Sequence, residues 1–178
     1  MRLFIEFRVP ESIQKRLFEV QKDLFKADAR LNLTKSFHLT LKFLGEVPPS
    51  KAEEVKKRLA DVRFKPFKAF LSNTGVFPNE KMIRVVWVGV EPEKEIIQLQ
   101  SKVEEALKGL FPKEKSFQPH LTLARVKFVK DKAFLEIIKK LAIPQLSFDV
   151  KEIQITESKL SREGPEYITY AGFPAQGL

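Results

Sequence analysis

Hydrophobic positions along this chain switch repeatedly between two periods. Leu3, Ile5, Phe7 and Val9 alternate with Arg2, Phe4, Glu6 and Arg8, the period-two pattern of a strand with one buried face. From Pro10 the period lengthens. Ile13, Leu17, Val20, Leu24 and Phe25 fall on one side of a helix expected to end near Ala29. Alternation returns over residues 37–44 and stops at Gly45. Pro48-Pro49-Ser50 then reads as a turn with Ser50 as N-cap, ahead of a helix striped by Ala52, Val55, Leu59 and Val62. Strands are expected over 67–74 and 84–90, with a loop at 75–79 between them and Trp87 in the core. Ile96, Leu99, Val103, Ala106, Leu107 and Leu110 mark a long amphipathic helix. A strand over 120–128, a helix over 132–141 and two closing strands over 146–155 and 167–173 complete the chain. The last two are joined by a loop holding Gly164-Pro165. This order of elements predicts a mixed α+β fold in a single domain spanning 1–178, with no linker and no low-complexity segment.

Two of the predicted strands open with the same four residues. His38-Leu39-Thr40-Leu41 recurs as His120-Leu121-Thr122-Leu123, and these are the only two histidines of the chain. Because side chains alternate faces in a strand, each copy sets an imidazole and a hydroxyl on one side and two leucines on the other. The copies lie 82 residues apart and each is followed by a helix. A duplicated architecture follows: two pseudo-symmetric lobes, each an antiparallel sheet with helices outside, around a central cleft.

Composition narrows the chemistry. The formal net charge of +9 points to an anionic partner such as a nucleic acid, a nucleotide or a membrane surface. The absence of cysteine removes disulfides, thiolate metal sites and thiol catalysis. No apolar run approaches membrane-spanning length, and Met1 leads straight into a strand pattern, so a cytoplasmic protein without a leader is expected. Two imidazoles facing each other can serve as general base and general acid, since the reference pKa of about 6.5 makes both protonation states available near neutrality. In-line displacement at phosphorus needs that arrangement, because the attacking and leaving oxygens lie on opposite sides. Thr40 and Thr122 can donate to the non-bridging oxygens. A lone histidine among leucines is usually structural; both histidines in identical tetrapeptides favour chemistry. No metal site is expected, since only Glu46 and Glu114 stand near either motif.

The chain resembles the two-histidine (2H) phosphoesterase superfamily, defined by paired His-x-Thr-x motifs, and within it the LigT/ThpR-like RNA 2′,3′-cyclic phosphodiesterases, or 2′-5′ RNA ligases. The matching stretches are Arg2-Leu3-Phe4-Ile5, Phe37-His38-Leu39-Thr40-Leu41-Lys42-Phe43-Leu44-Gly45, Gly75-Val76-Phe77-Pro78, Arg84-Val85-Val86-Trp87-Val88-Gly89-Val90 and Pro119-His120-Leu121-Thr122-Leu123-Ala124-Arg125-Val126. The resemblance implies hydrolysis of RNA 2′,3′-cyclic phosphate ends to 2′-phosphates. It also implies a reverse, ATP-independent joining of tRNA halves, and neither metal nor cofactor. By analogy His38 is the proton donor and His120 the proton acceptor, although the residues alone do not say which is which. Arg125 would support the phosphate. Strict alternation places it with the leucines, so a bulge or strand end must redirect it. Lys42 has the parity of His38 and Thr40 and is a candidate phosphate contact, the alternative being plain solvation. Phe4 is a candidate for stacking on the terminal base, the alternative being burial by the second lobe. RNA with a cyclic end, tRNA fragments among them, is the expected partner of a monomer. A non-catalytic single-stranded RNA-binding module using the cleft as an anion site is the rival reading.

Overall fold

The computed structural model describes residues 1–176 as two antiparallel sheets with helices outside. The elements are β1 (Arg2–Arg8), α1 (Glu11–Lys22), a 3-10 turn (Asp23–Lys26), β2 (Ala29–Leu33), β3 (His38–Glu46), α2 (Pro49–Leu59), β4 (Phe67–Asn79) and β5 (Met82–Glu91). They continue with α3 (Glu93–Ala106), β6 (His120–Val129), α4 (Phe134–Lys139), β7 (Ser147–Val150), β8 (Glu152–Ser161) and β9 (Gly164–Pro174). The first sheet has the order β3-β1-β8-β9 and the second β2-β6-β5-β4-β7.

The duplication is visible in connectivity. A strand, a helix and a histidine strand that pairs back antiparallel on the first strand occur twice: β1-α1-β3 and β5-α3-β6. In the first copy Arg8 pairs His38, Glu6 pairs Thr40, Ile5 pairs Lys42 and Phe4 pairs Phe43. In the second, Gly89 pairs His120, Trp87 pairs Thr122, Val86 pairs Ala124 and Val85 pairs Arg125. Over this stretch the two registers match, down to a one-residue bulge at Leu41 and again at Leu123; the first copy has a further irregularity beyond it, between Leu3 and Phe4. Leu39, Leu41, Leu121 and Leu123 all lie in one hydrophobic core shared by both sheets. Burying a leucine side chain is worth roughly 1.5–3 kcal/mol. The four together anchor both histidine strands firmly.

Several boundaries differ from the sequence pattern, each for an identifiable reason. The first helix stops at Lys22, and residues 29–33 form β2, which crosses over to pair with β6 in the second sheet. A five-residue strand whose partner lies about a hundred residues away leaves little local trace. The second helix begins at Pro49, so Ser50 sits inside its first turn and caps nothing; proline at the first helical position needs no N–H partner. The expected loop at 75–79 is strand, because β4 and β5 stay paired to Asn79, whose Oδ1 accepts from the Lys81 and Met82 amides at 3.0 Å each. The expected single strand over 146–155 is two. β7 belongs to the second sheet and β8 to the first, with Lys151 between them. The buried set shifts phase there, from Phe148 and Val150 to Ile153 and Ile155, as a change of sheet requires. The predicted 167–173 strand extends to Gly164–Pro174, and Gly164 takes φ +117° at the tip of the β8–β9 hairpin.

Candidate active site

The two motifs lie near each other. Strands β3 and β6 come close without pairing, and the charges of His120 and Arg125 both bear on His38. The bulges decide what stands beside each histidine. A bulge puts two consecutive residues on the same side and inverts the parity of everything after it. Leu123 and Ala124 therefore both face the core, and Arg125 turns out to the side of His120 and Thr122, as a bulge had to make it. The Leu123 carbonyl accepts from the Thr34 amide at 3.0 Å, just past the end of β2, and from Gln21 Nε2 of α1 at 2.8 Å, which ties the bulged residue to both.

The equivalent bulge at Leu41 overturns the parity argument for Lys42. Lys42 is turned inward and only 2% exposed. Its Nζ donates to both carboxylate oxygens of Glu104 at 2.9 Å and to the Pro112 carbonyl at 2.8 Å. Three donors are fully used there, so Lys42 ties β3 to α3 and has nothing left for a phosphate. Phe43 takes the place on the side of His38 and Thr40, at the register position that Arg125 holds in the other lobe, and is 63% exposed.

Of the two readings of Phe4, stacking on a base or burial by the second lobe, burial is what the structure has, although the second lobe does not supply it. Phe4 is 4% exposed, covered by its own lobe: His38 at 5.0 Å, Tyr167 at 5.7 Å and Phe43 at 6.2 Å between ring centroids. Tyr167 from β9 meets the His38 ring edge-on at 5.1 Å. In the second lobe Phe77 meets His120 at 5.0 Å, and Trp87 lies at 5.9 Å from it. Trp87, expected in the core, is half-buried and forms a wall of the site. Gly75 makes room for it across the strand pair: a Cβ there would fall 2.1 Å from the indole.

The histidines differ at Nδ1. His120 Nδ1 lies 2.7 Å from the Gln118 carbonyl, which fixes the proton on Nδ1 and leaves Nε2 as an acceptor. His38 Nδ1 lies 3.4 Å from Glu6 Oε2. Glu6 is 1% exposed, and its other oxygen accepts from Arg8 Nε at 3.1 Å, Gln154 Nε2 at 2.9 Å and Thr156 Oγ1 at 2.6 Å. Burial holds the His38 imidazole below its usual value. The Glu6 carboxylate opposes this, while Arg8, His120 and Arg125 add to it. Burial also lowers His120, with the Gln118 contact opposing and Arg125 adding. Sequence reasoning missed Glu6, Tyr167 and Phe77. For Glu6 there was a signal: an acid between Ile5 and Phe7 in a strand otherwise rich in apolar residues. Among the described residues, no group of three or more His, Cys, Asp or Glu is placed to hold a metal ion, and no helix is long and apolar enough to cross a membrane.

An α+β fold of two antiparallel sheets, with a duplicated strand-helix-strand unit and one histidine per unit, defines the class of this protein. The chain belongs to the 2′-5′ RNA ligase superfamily, whose model matches residues 9–162. It is 36% identical over 170 residues to an RNA 2′,3′-cyclic phosphodiesterase of Archaeoglobus fulgidus, covering 94% of this chain and 96% of that protein. It is 32% identical to one of Aquifex aeolicus, covering 97% and 96%. Among solved structures it superposes on TT0787 of Thermus thermophilus with TM-score 0.82 at 29% identity, covering 99% of both chains. E. coli LigT complexed with 3′-AMP superposes with TM-score 0.76 at 26% identity, over 98% of this chain and 97% of that one.

Proposed function

We propose that the protein hydrolyses RNA 2′,3′-cyclic phosphate ends to 2′-phosphates through its histidine pair. The observation that carries this reading is the asymmetry at Nδ1: two identical motifs, one backed by a carbonyl and the other by a carboxylate. With its Nδ1 proton held by Gln118, His120 presents a free Nε2 lone pair and takes the proton from water. His38, beside a negative charge, gives a proton to the leaving 3′-oxygen. Thr40, Thr122 and Arg125 oppose the charge that builds on the non-bridging oxygens. The substrate itself brings a negative charge between the rings, which raises the proton affinity of both. Phe43 offers the exposed ring for the terminal base, the part first sought in Phe4. With an RNA 5′-hydroxyl in place of water as nucleophile, the same groups in the same roles open the ring, protonate the leaving 3′-oxygen and join RNA ends, tRNA halves included, in a 2′-5′ linkage. The net charge of +9 suits such a partner, and a monomeric cytoplasmic enzyme would suffice for it.

The test is a short oligonucleotide with a 2′,3′-cyclic end, followed by phosphorus NMR with and without EDTA. A 2′-phosphate formed at the same rate in both is expected. A 3′-phosphate would overturn the leaving-group assignment, and chelator-sensitive turnover would overturn the two-histidine mechanism. Tight RNA binding without turnover would favour a non-catalytic module.

A further inference from the structure

The paired motifs have matching registers, so the strand next to each offers the same position to each histidine. Glu6 holds that position in the first lobe and Trp87 in the second, each opposite the motif threonine. Among the described residues, two buried side-chain polar atoms have no hydrogen-bond partner of good geometry, and they belong to these two residues: Glu6 Oε2 and Trp87 Nε1. Leaving a buried carboxylate oxygen without a bond costs free energy unless something uses it. Glu6 Oε2 lies 3.4 Å from His38 Nδ1, close enough for an ion pair but short of an aligned hydrogen bond. Apo geometry of this kind commonly tightens only when the substrate is bound.

The carboxylate is not free to turn away. Arg8 Nε, Gln154 Nε2 and Thr156 Oγ1 converge on Oε1, and Thr169 Oγ1 donates to Gln154 Oε1 at 3.3 Å behind them. These groups come from β1, β8 and β9, so the whole first sheet aims Oε2 at the ring. From the functional reading above, and resting on it, we infer that Glu6 is a positioning residue that makes His38 the acid of the pair. It holds the Nδ1–H, directs Nε2 into the cleft and stabilises the imidazolium that the leaving oxygen draws its proton from. Trp87, at the matching position in the second lobe, offers His120 no charge, and that ring is left neutral to act as base. Duplicated motifs thereby acquire different jobs from one non-duplicated neighbour. The arrangement follows the logic of an acid residue orienting an imidazole in hydrolytic triads.

The charged and titratable groups around His38 are Glu6 and Arg8 on β1, Tyr167 on β9, and His120 and Arg125 on β6. Of these, only Glu6 favours the cation, so its removal has a definite sign. The full chain carries two histidines, so its imidazole NMR signals form two sets, assigned with His120→Gln. In Glu6→Gln, which keeps an acceptor for Arg8, Gln154 and Thr156, the His38 titration moves to lower pH and the His120 titration stays. The alkaline limb of kcat/KM for a cyclic-ended oligonucleotide moves down with it. Turnover on that limb falls roughly tenfold, the low end for losing an opposite charge at this range, and approaches the wild-type value on the acid side. A His38 titration that does not move, or a loss by one factor at every pH, overturns the proposal and leaves Glu6 a structural residue. Nitrogen-15 spectra of the wild-type chain give a second readout that no folding defect can spoil. Neutral His38 is expected as the Nδ1–H tautomer, and the Nε2–H tautomer would overturn the pairing. A wild-type chain without turnover would instead overturn the functional reading, while the NMR results still decide whether Glu6 governs His38.

Discussion

Replacing Lys42 by methionine separates two views of that residue. In the structure its ammonium is buried and bonded to Glu104 and the Pro112 carbonyl. Methionine fills the same volume and leaves Glu104 as a buried carboxylate without its counter-charge. Breaking a buried pair by removing one partner costs about 3–5 kcal/mol. Glu104 Oε1 keeps two donors, Gln100 Nε2 at 3.0 Å and the Glu114 amide at 3.3 Å, which argues for the lower end. About 3 kcal/mol is a large part of the roughly 5–15 kcal/mol that holds a domain together. In a chain of 178 residues it lowers Tm by roughly 6–12 °C, at about 2–4 °C per kcal/mol. Thermal unfolding followed by circular dichroism measures this. The double variant Lys42→Met with Glu104→Leu should recover most of the loss, since a well-packed apolar pair replaces a buried ion pair at little or no cost. Turnover well below the melting range should keep its KM. A raised KM with unchanged Tm would refute the structural assignment and return Lys42 to the phosphate.

His38→Ala and His120→Ala should each lower kcat by roughly 10²–10⁴-fold, the usual worth of one proton transfer, with unchanged circular dichroism; near-wild-type turnover by either variant removes that ring from the mechanism. Both imidazoles are depressed by burial, so the unfolded chain binds more protons than the folded one below about pH 6.5. Their contribution to stability is complete above that pH and is lost as pH falls through the folded values. Acidification from pH 7 should therefore lower Tm, less so in a variant lacking both rings, and an equal slope in the two would contradict the burial argument. Gly75→Ala places a methyl inside the Trp87 indole; turnover and Tm should both fall, and an unperturbed variant would show that the ring has room to move. RNA affinity should weaken steeply with salt, whereas a flat response in a titration would point to a small cyclic nucleotide held by local contacts.

The periodicities and the repeated tetrapeptide by themselves determined the fold class, most elements and the histidine-threonine pair. Such features are local: alternation puts His38 with Thr40 and His120 with Thr122 whatever the strands pack against. The four leucines beneath them were legible for the same reason. What lay beyond each motif was decided by tertiary structure. One bulge at Leu41 and another at Leu123 reverse the alternation that a strand pattern assumes. The bulges send Lys42 inward to Glu104, bring Phe43 out, and carry Arg125 into the site, where resemblance had suggested it and parity had not. A bulge arises from pairing between strands and leaves no signature in one strand alone. Glu6 shows the same limit from the other side. Alternation placed it correctly off the apolar face of β1, but its own side is occupied by β8 residues about 150 positions away. Whether a polar face meets water or a second polar network depends on which strands the fold brings beside it. Here that choice gave His38 a carboxylate and His120 an indole.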